Sequence, residues 1–187
     1  LNPSSAASDV YKRQLSQLNK KAIVEWRRRV GSKEAQKIST KASRRGTSVH
    51  KMCEDYLENK LSEEKIMPSD NFLFIQLKDI IKNKINNIRA LEAPLYSHYL
   101  KSAGTVDCVA EYDNKLSIID FKTSLKVKKE EWVTNYFMQE AAYAVMWEER
   151  VKEPITQLVT LIANDSNEPQ IFIPVSYTHL RAHETRI

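Results

Sequence analysis

Two aspartates and a lysine stand in an otherwise apolar stretch, GTVDCVAEYDNKLSIIDFKTS, residues 104–124. Asp107 lies among Val106, Cys108 and Val109, Asp120 follows Ile118 and Ile119, and Lys122 comes two residues later. Between the two apolar runs, Asp113-Asn114 has the composition of a two-residue hairpin turn. With that turn Tyr112 pairs with Lys115, and counting back along both strands sets Asp107 opposite Asp120. Opposed residues on one face of an antiparallel pair have Cβ atoms about 4.5–5.5 Å apart. Residues two apart share a face, so Lys122 joins them. Facing carboxylates repel, and burial makes the repulsion worse. A divalent cation between them removes the conflict, and oxygen ligation favours Mg²⁺ or Mn²⁺ over a softer ion. Such a cation binds a phosphate oxygen and activates water, while a neighbouring ammonium balances developing charge. The chemistry expected is phosphodiester hydrolysis. A three-residue turn would slip the pairing by one and separate Asp107 from the other two. D-x-K on its own also arises as a plain surface ion pair.

The elements that must hold these groups are readable from periodicity. Residues 15–30 have helical spacing, with Leu18, Ile23, Trp26 and Val30 on one side. Gly31 stops that helix and Ser32 caps a second, which runs to about Arg45; Gly46 ends it and Thr47 caps a third, to about Lys60. Residues 71–89 read as an amphipathic helix through Phe72, Ile75, Leu77, Ile80, Ile81, Ile85 and Ile88. Strands follow near 91–100, over VDCVAEY and over KLSIIDFK. A helix over about 130–151 buries Trp132, Tyr136, Phe137, Ala141, Val145 and Met146, and QLVTLIAN and QIFIPV are the last strands. This order predicts an α/β domain, a mixed central β-sheet flanked by helices with a helical N-terminal part.

The ends read differently. LNPSSAASDVYKRQ (1–14) and VSYTHLRAHETRI at the close (excluded from residue 176) resemble translated sequencing-adaptor sequence. They are set aside, which leaves a single expected domain over 15–175. The chain has a formal net charge of +5, unevenly spread. Lys20, Lys21, Arg27, Arg28, Arg29, Lys33, Lys37, Lys41, Arg44 and Arg45 face only Glu25 and Glu34 over residues 20–45. Such a surplus fits a polyanion, or simply a solvated helix face. Cys53 and Cys108 are too few and too far apart for a zinc ribbon or a four-cysteine cluster, and read as small buried residues. There is no apolar run long enough for a membrane span of about 18 residues.

Asp107 in AGTVD and Asp120 with Lys122 in IDFKTS resemble the signature of the PD-(D/E)XK nucleases, whose core is restriction-endonuclease-like. RRGTSVHKMCEDYL resembles the helical motif of their RecB-like exonuclease branch, and QEAAY its Q-x-x-x-Y helix. The order of these motifs is most similar to the mitochondrial genome maintenance exonucleases and their phage relatives. The resemblance spans about residues 20–175. It implies metal ligation by His50, Asp107, Asp120 and the Phe121 carbonyl, and catalytic work by Asp107, Asp120, Lys122 and Gln139. Glu54, one helical turn from His50, would orient it or simply hydrogen-bond it. Arg44, Arg45, Thr123, Ser124 and Tyr143 are the implied DNA contacts, and Gly104 the point of close backbone approach. Glu92 is near enough to reach the site or to be solvated. The implied cofactor is Mg²⁺ or Mn²⁺, without the iron–sulfur cluster of some branch members. The implied partner is DNA, single-stranded or at ends, with no membrane. The implied location is the cytoplasm, the host's if phage-encoded. The rivals are a structure-specific endonuclease on the same fold and an inactive nucleic-acid-binding module.

Overall fold

The computed structural model describes residue 21, residues 23–62 and residues 66–174. The segments compared above with adaptor sequence, and residues 15–20 of the first expected helix, lie outside these. Residues 23–30 form helix α1. Gly31, at φ 88°, closes it, and the Gly31 carbonyl accepts from the Ala35 N–H at 2.9 Å to open the next helix. That helix, α2, runs unbroken over Ser32–Leu57. The stop expected at Gly46 does not occur. An interior glycine costs about 1 kcal/mol, and burial of Val49, Met52 and Cys53 beyond it outweighs that. By contacts the chain divides between Arg44 and Arg45, and the sheet and the groups of the site all belong to the part from Arg45 on.

Helix α3 (Pro68–Lys84) starts on a proline at its first turn, where no N–H is needed. It ends five residues earlier than periodicity suggests, and Ile85 and Ile88 belong to strand β1 (Ile85–Ser97). Asn86, Asn87 and two β-branched isoleucines are poor helix formers. Pairing of Ile85 with Tyr112 and Asn86 with Glu111 takes them into the sheet. Leu77 and Ile81 are buried as expected, but Phe72 and Ile75 are exposed, and Leu73, Phe74 and Gln76 are buried in their place. Strands β2 (Ser102–Tyr112) and β3 (Lys115–Ser124) form the expected hairpin. A short 3₁₀ turn (Glu130–Trp132) precedes helix α4 (Thr134–Val151). Trp132 therefore falls outside the helix and is 56% exposed rather than buried. Strands β4 (Gln157–Asn164) and β5 (Gln170–Phe172) complete the sheet.

The strand order is β1-β2-β3-β4-β5, antiparallel except for β3 with β4. A parallel pair needs a crossover, and α4 supplies it. The result is the expected α/β architecture, a mixed sheet flanked by helices. One face packs Val49, Cys53, Phe74 and Leu77 against Cys108, Ile119 and Phe121. The other packs Tyr143, Ala144, Met146 and Trp147 of α4 against Val106, Val109 and Ile118. With both faces covered, every residue of β4 is buried. Both cysteines are free and buried, as expected. Among the described residues no helix is long and apolar enough to cross a membrane.

Candidate active site

The hairpin register runs from Tyr112↔Lys115 to Cys108↔Ile119, the register of a two-residue turn. Asp113 and Asn114 both sit at positive φ, 49° and 63°, as a type I′ turn requires. Pairing stops one step short of Asp107 and Asp120. Beyond it the Phe121 N–H is donated to Asp107 Oδ2 at 2.9 Å instead of to a β2 carbonyl. A strand N–H lies in the sheet plane, so the Asp107 carboxylate lies there too, in the opening where the strands part. Pairing with the neighbouring strand lapses at the same level. Glu92 has φ 44°, and the β1–β2 pairing skips from Leu91↔Cys108 to Ala93↔Val106. Val106 and Cys108 should share a face by alternation, yet they pack into opposite core clusters. The alternation of faces thus changes at Asp107, beside Glu92.

His50 of α2 points into this opening. Its Nε2 lies 3.1 Å from Asp107 Oδ2 and against the Phe121 carbonyl oxygen, and its Nδ1 lies 3.7 Å from Glu92 Oε1. His50, Glu92 and Asp107 offer ligand atoms that all lie within 4.8 Å of one another. One N–H cannot satisfy a carboxylate and a carbonyl that crowd the same nitrogen, whereas a cation satisfies all three donors. Glu54 does not orient His50. It is held by Lys51 at 2.9 Å, and Glu92 takes the place beside the ring. The sequence leaves Glu92 open between the site and solvent, because its position depends on a backbone φ that a glutamate rarely adopts.

The second half of the site is more deeply buried. Asp120 is 2% exposed. Its Oδ1 accepts from Lys122 Nζ at 2.5 Å, and its Oδ2 is buried with no hydrogen-bond partner among the described residues. Lys122 Nζ also lies 5.5 Å above the ring of Tyr136 on α4. Burial and then the charge of Asp120 push the Asp107 carboxyl up to about 8. Burial works against the Lys122 ammonium, but Asp120 and Asp107 overcome it and hold its pKa above the ordinary lysine value. The two aspartates thus feel each other, as the sequence arithmetic expects. Glu140 of α4 was not foreseen. It is fully buried, bonded to the Thr160 hydroxyl, and pushed up to about 9, chiefly by burial. Thr160 is the register partner of Asp120 on β4.

The remaining expected residues divide. Gln139 donates to the Tyr143 hydroxyl at 3.1 Å. A Cβ on Gly104 would stand 2.8 Å from that hydroxyl, so Gly104 does permit a close approach. Thr123 lines a cavity of about 410 Å³ with Gly46, Thr47, His50, Lys51, Glu54, Glu92, Phe121 and Lys122. Ser124 is occupied locally: its hydroxyl bonds both the carbonyl and the N–H of Lys126. Arg45 is taken up by a two-pronged ion pair with Asp165, at 2.7 and 3.0 Å. Arg44 is exposed.

No protein-family model matches the chain. A solved structure from Eubacterium rectale, provisionally named an exonuclease, has 16% identity and a TM-score of 0.45. That likeness covers 75% of this chain and 63% of the other. In sequence the chain is 44% identical over 55 residues to mitochondrial genome maintenance exonuclease 1 of Mus musculus. It is 38% identical over 77 residues to that of Homo sapiens, and 34% over 83 residues to that of Xenopus tropicalis. These matches take in 29%, 38% and 44% of this chain, and only 16%, 22% and 24% of the relatives. Over that part of its length, the chain resembles mitochondrial genome maintenance exonuclease 1, as its motifs led one to expect.

Proposed function

We propose that this chain is a metal-dependent DNA nuclease, an exonuclease acting on single-stranded ends in DNA replication, recombination or repair. The observation that supports this is the placing of His50 against Asp107, and of Lys122 against Asp120, where β2 and β3 part. The names of the sequence relatives support the exonuclease class.

The residues fit a hard divalent cation. Asp120 Oδ2 is buried with no hydrogen-bond partner among the described residues, burial and then the charge of Asp120 push the Asp107 carboxyl up to about 8, and the donors are oxygen and imidazole nitrogen. His50, Asp107, Asp120 and the Phe121 carbonyl would hold it, with Glu92 beside them. Bound there, Mg²⁺ or Mn²⁺ supplies Lewis acidity toward the phosphodiester and water. The chain's own groups do the rest. Lys122, fixed by Asp120 and the Tyr136 ring, presents an ammonium where negative charge builds as water's oxygen bonds phosphorus and the sugar oxygen leaves. Thr123, on the cavity wall, offers a hydroxyl to a phosphate oxygen. The Gln139–Tyr143 pair borders the path of the strand.

The test uses end-labelled single-stranded DNA, duplex DNA and a closed single-stranded circle, with Mg²⁺ or EDTA, beside Asp120→Ala and Lys122→Ala. The expected result is cutting from ends only, abolished by EDTA and by either substitution. Cutting of the circle replaces the exonuclease with an endonuclease. Binding with no metal-dependent cutting overturns the enzyme reading.

A further inference from the structure

The segment between β3 and α4 is not used by the chemistry above. It leaves β3 two residues after Lys122 and enters α4 two residues before Tyr136, whose ring lies under the Lys122 ammonium. Both of its ends therefore start from the reaction centre. Four residues of chain span at most about 14 Å, so Lys126 stays within that of Lys122. The segment carries Lys126, Lys128 and Lys129 ahead of Trp132. Trp132 is 56% exposed, and Lys129 Nζ lies 5.5 Å from its ring centroid. Loops with this exposure are usually free to move, but this one is pinned at two points. The Ser124 hydroxyl bonds both backbone groups of Lys126. The Gln170 side chain accepts from the Lys128 N–H at 2.7 Å and donates to its carbonyl at 2.8 Å. Satisfying its backbone this way holds the loop with Lys126, Lys129 and the indole exposed and Lys128 half-buried.

We propose that this pinned loop is a binding platform for single-stranded DNA, with Trp132 stacking on a base and Lys126, Lys128 and Lys129 holding the adjoining phosphates. The proposal rests on the nuclease reading for its substrate but not for its evidence. Aromatic stacking tolerates any base, and lysines track a backbone without regard to sequence. Glu130 and Glu131 follow the lysines, so the phosphates lie on the first half of the loop and the base on Trp132. Fixing the loop beforehand lowers the ordering cost of binding.

The test is made in EDTA, where nothing is cut, with labelled oligo(dT) and the full chain. Trp132→Ala is expected to weaken binding about ten-fold, the scale of one stacked base. Lys126→Gln or Lys129→Gln should each lower the slope of log affinity against log salt by about 0.7. Indole fluorescence should be quenched on binding in the wild type, and the quench should vanish in Trp132→Phe, which keeps the fold. Unchanged affinity in Trp132→Ala, or a quench that survives Trp132→Phe, overturns the proposal. If the protein proves unable to cut DNA yet shows these losses, the nuclease reading fails and the platform stands. If it cuts with wild-type KM after Trp132→Ala, only the platform fails.

Discussion

Replacing Glu140 with glutamine should make the protein's stability less dependent on pH. The side chain is fully buried; Oε1 takes the Thr160 hydroxyl, and Oε2 has no partner among the described residues. Burial pushes its pKa up to about 9, whereas an unfolded glutamate titrates near 4.3. Between those values the folded chain holds a proton that the unfolded chain has lost. Stability from this group is therefore full below about pH 4 and falls as pH rises, by about 1.4 kcal/mol per pH unit, levelling off above about 9. Asp107, pushed up to about 8, adds a second falling contribution over its own range. Glutamine does not titrate, and its carbonyl can still accept from Thr160.

The variant-minus-wild-type difference in unfolding free energy cancels the groups that do not feel Glu140. It should climb by about 3 kcal/mol between pH 5.5 and 8 in favour of Glu140→Gln. Urea unfolding followed by fluorescence and circular dichroism gives each free energy from the midpoint and a common slope. EDTA is needed throughout, because a cation near Asp120 would compensate the carboxylates in place of protons. A difference that stays flat across this interval would refute the buried, proton-holding Glu140.

Gly104→Ala would put a methyl 2.8 Å from the Tyr143 hydroxyl and 2.9 Å from its ring. It should cost about 1–3 kcal/mol in urea unfolding, and far less in a Tyr143→Ala background. Lys122→Met should lower kcat about 100-fold or more with KM little changed, since the ammonium acts where charge develops. Single-turnover cleavage of a labelled strand checks it, and an equal rise in KM would assign Lys122 to binding instead. Glu92→Gln should raise the Mg²⁺ concentration for half-maximal activity about ten-fold, and an unchanged Mg²⁺ titration would remove Glu92 from the site.

What the sequence makes legible follows from how local each cue is. The Asp113-Asn114 turn fixes pairing by itself, so the approach of Asp107 to Asp120 could be counted out residue by residue. The end of α3 could not, because Ile85 and Ile88 suit a helix face as well as a strand, and only Tyr112 and Glu111 across the sheet decide. Trp132 looks like core by type, and its exposure depends on a 3₁₀ turn that starts the helix two residues after it. Glu140 reads as an ordinary helix glutamate inside QEAAY. Only packing against β4 shows that the side it occupies faces inward. Arg45 looks free for DNA until its distant partner, Asp165, is seen.

These groups share one level of the sheet. Counting the registers outward, Glu92 lies across from Asp107, Asp107 across from Asp120, and Asp120 pairs with Thr160, which holds Glu140. The level on one side is Leu91, Cys108, Ile119 and Val159, and on the other Ala93, Val106, Phe121 and Leu161. This polar row lies between two apolar ones, and at it the ladder opens, a glutamate takes a left-handed φ and two carboxylate oxygens go without partners among the described residues. Burying such groups costs stability unless something pairs with them. An unbroken ladder would also have used the Phe121 N–H and carbonyl in strand pairing. Because it parts there, the N–H holds the Asp107 carboxylate and the carbonyl turns toward His50. The local rules of the sheet fail together in one row, and beside that row His50, Glu92 and Asp107 bring ligand atoms within 4.8 Å of one another.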